Sequence, residues 1–129
     1  MSEKVIFKLN GAIILEQEKA QTELFDYCED KAPRGEWKEV TLKDLNGAIS
    51  EVKEDLHAHE KGKNRWEHIL QISKFNPKET EEAYGYIEQY DEHIKEITHT
   101  LNVFENFVDI ININTNAGIE FKMEWTITE

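Results

Sequence analysis

Between Asn76 and Asp109, apolar side chains recur at Ala83, Ile87, Tyr90, Ile94, Ile97, Leu101, Phe104 and Val108, in steps that alternate 4 and 3. That spacing is the seam of a helix packed lengthwise on another helix. A strand cannot produce it, because strand side chains alternate with period two. The start is encoded locally: Asn76 can cap, Pro77 suits a first helical position, and Glu79 falls at N3. A helix over 77–109 is a rod of about 48 Å, and the rest of the chain must be arranged against it.

The partner rod begins at Thr41. Thr41 caps, Asp44 sits at N3, and Val40 can staple onto Leu45. Its seam runs Leu42, Leu45, Ile49, Val52, Leu56, His59, Lys63, Trp66, Leu70. The phase survives across Gly62, which favours one helix over 41–75. The alternative is a break at 60–64, with Gly62 ending one helix and Asn64 capping the next. Only Phe75-Asn76 separates the rods, so they must be antiparallel neighbours. Residues whose numbers sum to about 153 then face each other, which sets Lys61, Lys63 and Arg65 against Glu88, Asp91 and Glu92.

The ends of the chain follow another period. Val5 to Leu9 and Ala12 to Leu15 flank Asn10-Gly11, a pair that tolerates the positive φ of a tight hairpin turn. This predicts strands over 3–9 and 12–16. Glu18 to Lys31 reads as a shorter helix with Ala20, Leu24, Tyr27 and Cys28 on one face, ended by Ala32-Pro33-Arg34-Gly35. Glu36 to Glu39 reads as a linker or a short extended piece, in which Trp37 is expected to pin the linker to the core. Ile111 and Ile113 alternate with asparagines, Thr115 to Gly118 is a turn, and Ile119, Phe121, Met123, Trp125 and Ile127 alternate with polar residues. The expected fold is α+β: a single domain over 1–129 with a small antiparallel four-stranded sheet built from N- and C-terminal β-hairpins. A long antiparallel helical hairpin and one shorter helix pack with it. No internal repeat or low-complexity stretch interrupts the 129 residues.

Charge narrows the choice of partners. The net charge is −12, which disfavours direct contact with nucleic acid or an anionic membrane. Residues 78–109 carry 9 acids and 2 bases, more than half of the excess. No run approaches a membrane span, and the first residues lack the basic-then-apolar pattern of a signal peptide. The single cysteine, Cys28, allows no internal disulfide and fits a reducing compartment. These features point to a cytoplasmic protein.

No stretch spells out a catalytic, cofactor or phosphate-binding motif. Glu54-x-x-His57 and Glu96-x-x-His99 have the form used by di-iron bundles, and the antiparallel register sets them opposite one another. The seam turns all four outward, however, so the reading of a metalloenzyme ranks behind solvated surface. His59 is the one histidine on the seam. Cys28 faces the core and reads as a structural thiol. The sequence is therefore expected to hold no catalytic residue, cofactor or metal.

Two surfaces remain. Glu81, Glu88, Glu92 and Glu96, with Glu82 and Asp91 beside them, form an acidic stripe fitted to a protein partner with a basic surface. Trp66, Ile69, Ile72, Phe75, Tyr84 and Tyr86 gather near the tip of the hairpin and suit a homodimer contact. The leading expectation is a non-enzymatic module, an acidic inhibitor of a nucleic-acid-handling protein. Phage counter-defence and toxin-immunity proteins have that role, and partial nucleic-acid mimicry is one way to perform it. The alternative is a homo-oligomeric assembly protein built on the helical hairpin.

Overall fold

Asn10 and Gly11 hold φ angles of 50° and 83°, the pair of positive values that lets β1 (Lys4–Leu9) turn directly into β2 (Ala12–Glu18). A computed structural model of the chain describes residues 3–19, 23–72 and 76–129. β2 is followed by α1 (Leu24–Glu29), β3 (Lys38–Glu39), α2 (Leu42–Ile72), α3 (Pro77–Asn116) and β4 (Met123–Thr128). The class is α+β, with a four-stranded antiparallel sheet in the order β2-β1-β4-β3.

The fourth strand is not the one expected. Lys38–Glu39 pairs with β4, and no C-terminal hairpin forms. Ile111 to Asn114 instead extend α3. Phe104, Phe107 and Ile111 lie at helical spacing and are all buried, whereas Ile113 is 67% exposed. A strand would have buried Ile111 and Ile113 together, so the helical period wins. Asn114 Nδ2 donates to the Ile110 carbonyl at 2.8 Å, one turn back, and Gly118 at φ 68° stops the helix. The short helix is also smaller than expected. Glu18 belongs to β2, opposite Lys4, because the ladder runs past Leu15, and Ala20 lies outside the described residues. Trp37 is 39% exposed and lies under Lys8, whose Nζ is 4.0 Å from the ring centroid, so it covers the sheet's outer face rather than reaching the core.

The long helices follow the sequence closely. Asp44 N–H donates to Thr41 Oγ1 at 3.2 Å, and Thr41 N–H donates to Asp44 Oδ2 at 3.0 Å, a reciprocal capping box. Asn76 Oδ1 accepts from the backbone of Lys78 and Glu79. α2 is unbroken through Gly62.

The core lies between the sheet's inner face and the proximal halves of α2 and α3. Val5, Phe7, Met123, Trp125 and Ile127 point into it, against Leu24, Phe25 and Cys28 of α1 and Leu45, Ala48 and Val52 of α2. The Phe7 ring lies 4.8 Å from Phe107 and 5.6 Å from Trp125. Each such side chain contributes about 1.5–3 kcal/mol on burial. Burial then stops. Between Leu56 and Ile97, Ala83 is the one buried residue among those described. The distal helical hairpin is therefore an arm, with α2 extending about 24 Å past Leu56 at 1.5 Å per residue.

Candidate functional site

The arm is held by a short list of contacts, all at the expected register. Lys63 Nζ meets Asp91 at 2.6 Å, and that hydrogen bond raises the lysine pKa. Trp66 stacks on Tyr86 with centroids 4.2 Å apart. Tyr90 crosses directly over Gly62. With its seam so filled, the arm turns the remaining charges outward.

Glu81, Glu82, Glu88, Asp91, Glu92 and Glu96 are all exposed. Asp91 is engaged by Lys63. The carboxylates of Glu81, Glu82, Glu88 and Glu92 have no cationic partner among the described residues. Glu88, Glu92 and Glu96 are each one turn apart, at about 6 Å of rise.

The stripe does not end on α3. At the base of the arm, Glu96 meets His93 and Glu23, with one donor atom of each within 4.8 Å of the others. His93 Nδ1 lies 3.3 Å from Glu23 Oε1. Glu23 also borders a cleft of about 600 Å³ lined by Asp26, Tyr27, Glu51, Glu54 and Asp55, between α1 and α2. Tyr27 donates its hydroxyl proton to Asp55. Burial, with this bond and the surrounding carboxylates, pushes the phenol pKa far up. Burial also raises the Glu23 carboxyl, against the lowering effect of its His93 contact, and the charges of Asp55 and Glu96 raise it further. Stripe and cleft are thus one acidic band joined at Glu23.

His59 projects from α2 beside this junction, partly buried, with its ring 5.6 Å from His93 and 6.0 Å from Tyr90. Its Nδ1 faces the Asp55 carbonyl oxygen at 2.8 Å. Glu54, His57, Glu96 and His99 are exposed, as the phase requires, and Glu96 converges with His93 and Glu23. The sequence reading overlooked that convergence. Its register rule does place His59 opposite His93, but nothing in the sequence shows where Glu23 lies.

The tip is partly closed by its own stacking. Trp66 and Ile69 are half-buried, and Tyr86 covers Trp66. Ile72 and Tyr84 remain 71% and 61% exposed, while Phe75 lies outside the described residues. Cys28 is fully buried, and burial pushes its thiol pKa up to about 12. No helix among the described residues is long and apolar enough to cross a membrane. No family model matches the chain, no curated protein matches it, and no solved structure matches it.

Proposed function

We propose that this protein is a non-enzymatic, cytoplasmic binding module that sets its acidic band into the basic, phosphate-binding groove of a nucleic-acid-handling protein. It would act as an inhibitor of the counter-defence or immunity type. The observation that carries this reading is the row Glu81, Glu88 and Glu92 on a protruding arm, without a cationic partner among the described residues and continued through Glu96 and Glu23 into the α1–α2 cleft.

Like charges one turn apart cost a helix a few tenths of a kcal/mol per pair. The row is therefore mildly unfavourable for folding, which is a reason to look for a use. Clefts lined by one sign of charge also focus the field and speed encounter with a partner of the other sign. Duplex DNA carries one charge per ~1.7 Å of axis, denser than one carboxylate per ~6 Å on the stripe, so any imitation of the duplex is partial.

The test is capture by the immobilised protein from an extract of its native cell, eluted in salt steps. The reading expects a basic nucleic-acid-binding protein, released between about 0.1 and 0.5 M salt as charges are screened. Recovery only of salt-resistant partners would contradict it. A second reading, self-assembly through the tip, is favoured by the exposure of Ile72 and Tyr84.

A further inference from the structure

Four side chains from three parts of the chain meet where the arm joins the body. Glu23 stands at the entry to α1, His59 on α2, and His93 and Glu96 one turn apart on α3. Positions three apart on a helix share a face, so His93 and Glu96 leave α3 in the same direction. One donor atom each from Glu23, His93 and Glu96 falls within a 4.8 Å set. The His93 Nδ1–Glu23 Oε1 distance of 3.3 Å matches the separation of about 3.4 Å between two ligands of a tetrahedral ion.

His59 flanks the group from α2: its ring lies 5.6 Å from His93, and its Nδ1 is held by Asp55, 2.8 Å from the carbonyl oxygen and 3.3 Å from a carboxylate oxygen. Meanwhile, among the described residues, no lysine or arginine ion-pairs with Glu23 or Glu96. One imidazole nitrogen and two carboxylate oxygens form a donor set for a divalent cation such as Zn²⁺, Co²⁺ or Ni²⁺. The adjoining cleft gives such an ion access from solvent.

We propose that this junction binds one divalent transition-metal ion through Glu23, His93 and Glu96, with the remaining coordination open to solvent. The ion would tie the entry of α1 to α3 at the root of the arm. Neither His57 nor His99 belongs to this donor set.

The test is calorimetric titration of the chelator-treated full chain with Zn²⁺, with Co²⁺ absorption as a second reading of the ligands. The expected result is one ion per chain, with Co²⁺ bands of four-coordinate intensity and a melting temperature that rises with metal concentration. His93→Ala and Glu96→Gln should each weaken Zn²⁺ binding by about tenfold or more. His57→Ala and His99→Ala should leave it unchanged. Circular dichroism checks each fold, and Glu96→Gln, at an exposed position, carries the test if His93→Ala does not fold. No binding tighter than about 0.1 mM would overturn the assignment, as would equal losses in the His57 and His99 controls. Undiminished binding in Glu96→Gln would also overturn it.

Discussion

The ring of Tyr90 fills the space where a side chain at Gly62 would begin. A Cβ built at Gly62 would lie 2.6 Å from the Cε1, Cζ and hydroxyl oxygen of Tyr90. Glycine inside a helix normally costs about 1 kcal/mol relative to alanine. At Gly62 that cost is offset by close approach of the two helices. At Gly85 nothing lies within 4 Å, so no such offset exists. Gly85→Ala should therefore stabilise the protein by about 0.5–1 kcal/mol, while Gly62→Ala should gain nothing or lose stability. Adding Tyr90→Ala to Gly62→Ala should recover the alanine gain relative to Tyr90→Ala alone. Urea unfolding of the four variants and the parent makes the comparison. Equal gains at both glycines would show that Tyr90 does not pack there.

The phase of α3 is tested by two positions two residues apart. Ile97 is fully buried and His99 is exposed. Ile97→Asp places an unpaired charge in the core and should cost several kcal/mol. His99→Asp should change stability by less than about 0.5 kcal/mol. Chemical denaturation reads both, and similar losses would mean that the helix is rotated from the orientation described.

Those rods were legible because their signals are local and repeated. The Thr41–Asp44 box, the Asn76-Pro77 start and the seams fix both helices, and the short connection sets the register that brings Lys63 to Asp91. Ile111 to Asn114 misled because alternation over four residues fits a strand, while the helical evidence lies upstream in Phe104 and Phe107. Lys38 and Glu39 lie in a segment legible as linker or short extended piece, too short for alternation to show that it joins the sheet. Their pairing is imposed by β4, whose free side accepts any short extended segment. The junction of Glu23 with His93 was hidden for a similar reason. It depends on the position of α1 against the arm, which no periodicity encodes.

Cys28 predicts an alkaline weakness. Its thiol pKa rises from 9.0 in the unfolded chain to about 12 in the fold. Between those values the unfolded chain has released a proton that the folded chain retains, so stability falls as pH rises through that window. Tyr27, also raised by burial, steepens the loss at still higher pH. Below the ordinary thiol value both states keep the proton and the effect vanishes. Equilibrium unfolding from pH 7 to 11 should show the decline, and Cys28→Ala should make it shallower. In native buffer the thiol should resist Ellman's reagent and react on addition of denaturant. Rapid labelling without denaturant would contradict the burial.

The tip of the arm gives an expectation for self-association. Ile72, Tyr84 and, stacked on Trp66, Tyr86 are the exposed members of the set that includes Trp66 and Ile69. Sedimentation equilibrium at tens of micromolar is expected to show a dimer, and Ile72→Lys with Tyr84→Lys to shift it to monomer without loss of helix content. A monomeric parent would remove the tip as a contact surface.

The central claim is that the acidic band is used to bind. The most direct measurement is the affinity of the captured basic partner for the Glu81→Lys, Glu88→Lys, Glu92→Lys triple variant, which leaves Glu23, His93 and Glu96 untouched. All three positions are exposed, and none has an ion-pair partner among the described residues, so the fold should persist. At about 0.1 M salt the account predicts a loss of well over tenfold, mostly through slower association, and a weaker dependence on salt than the parent shows. A triple variant that binds as tightly as the parent, with the same salt dependence, would contradict it.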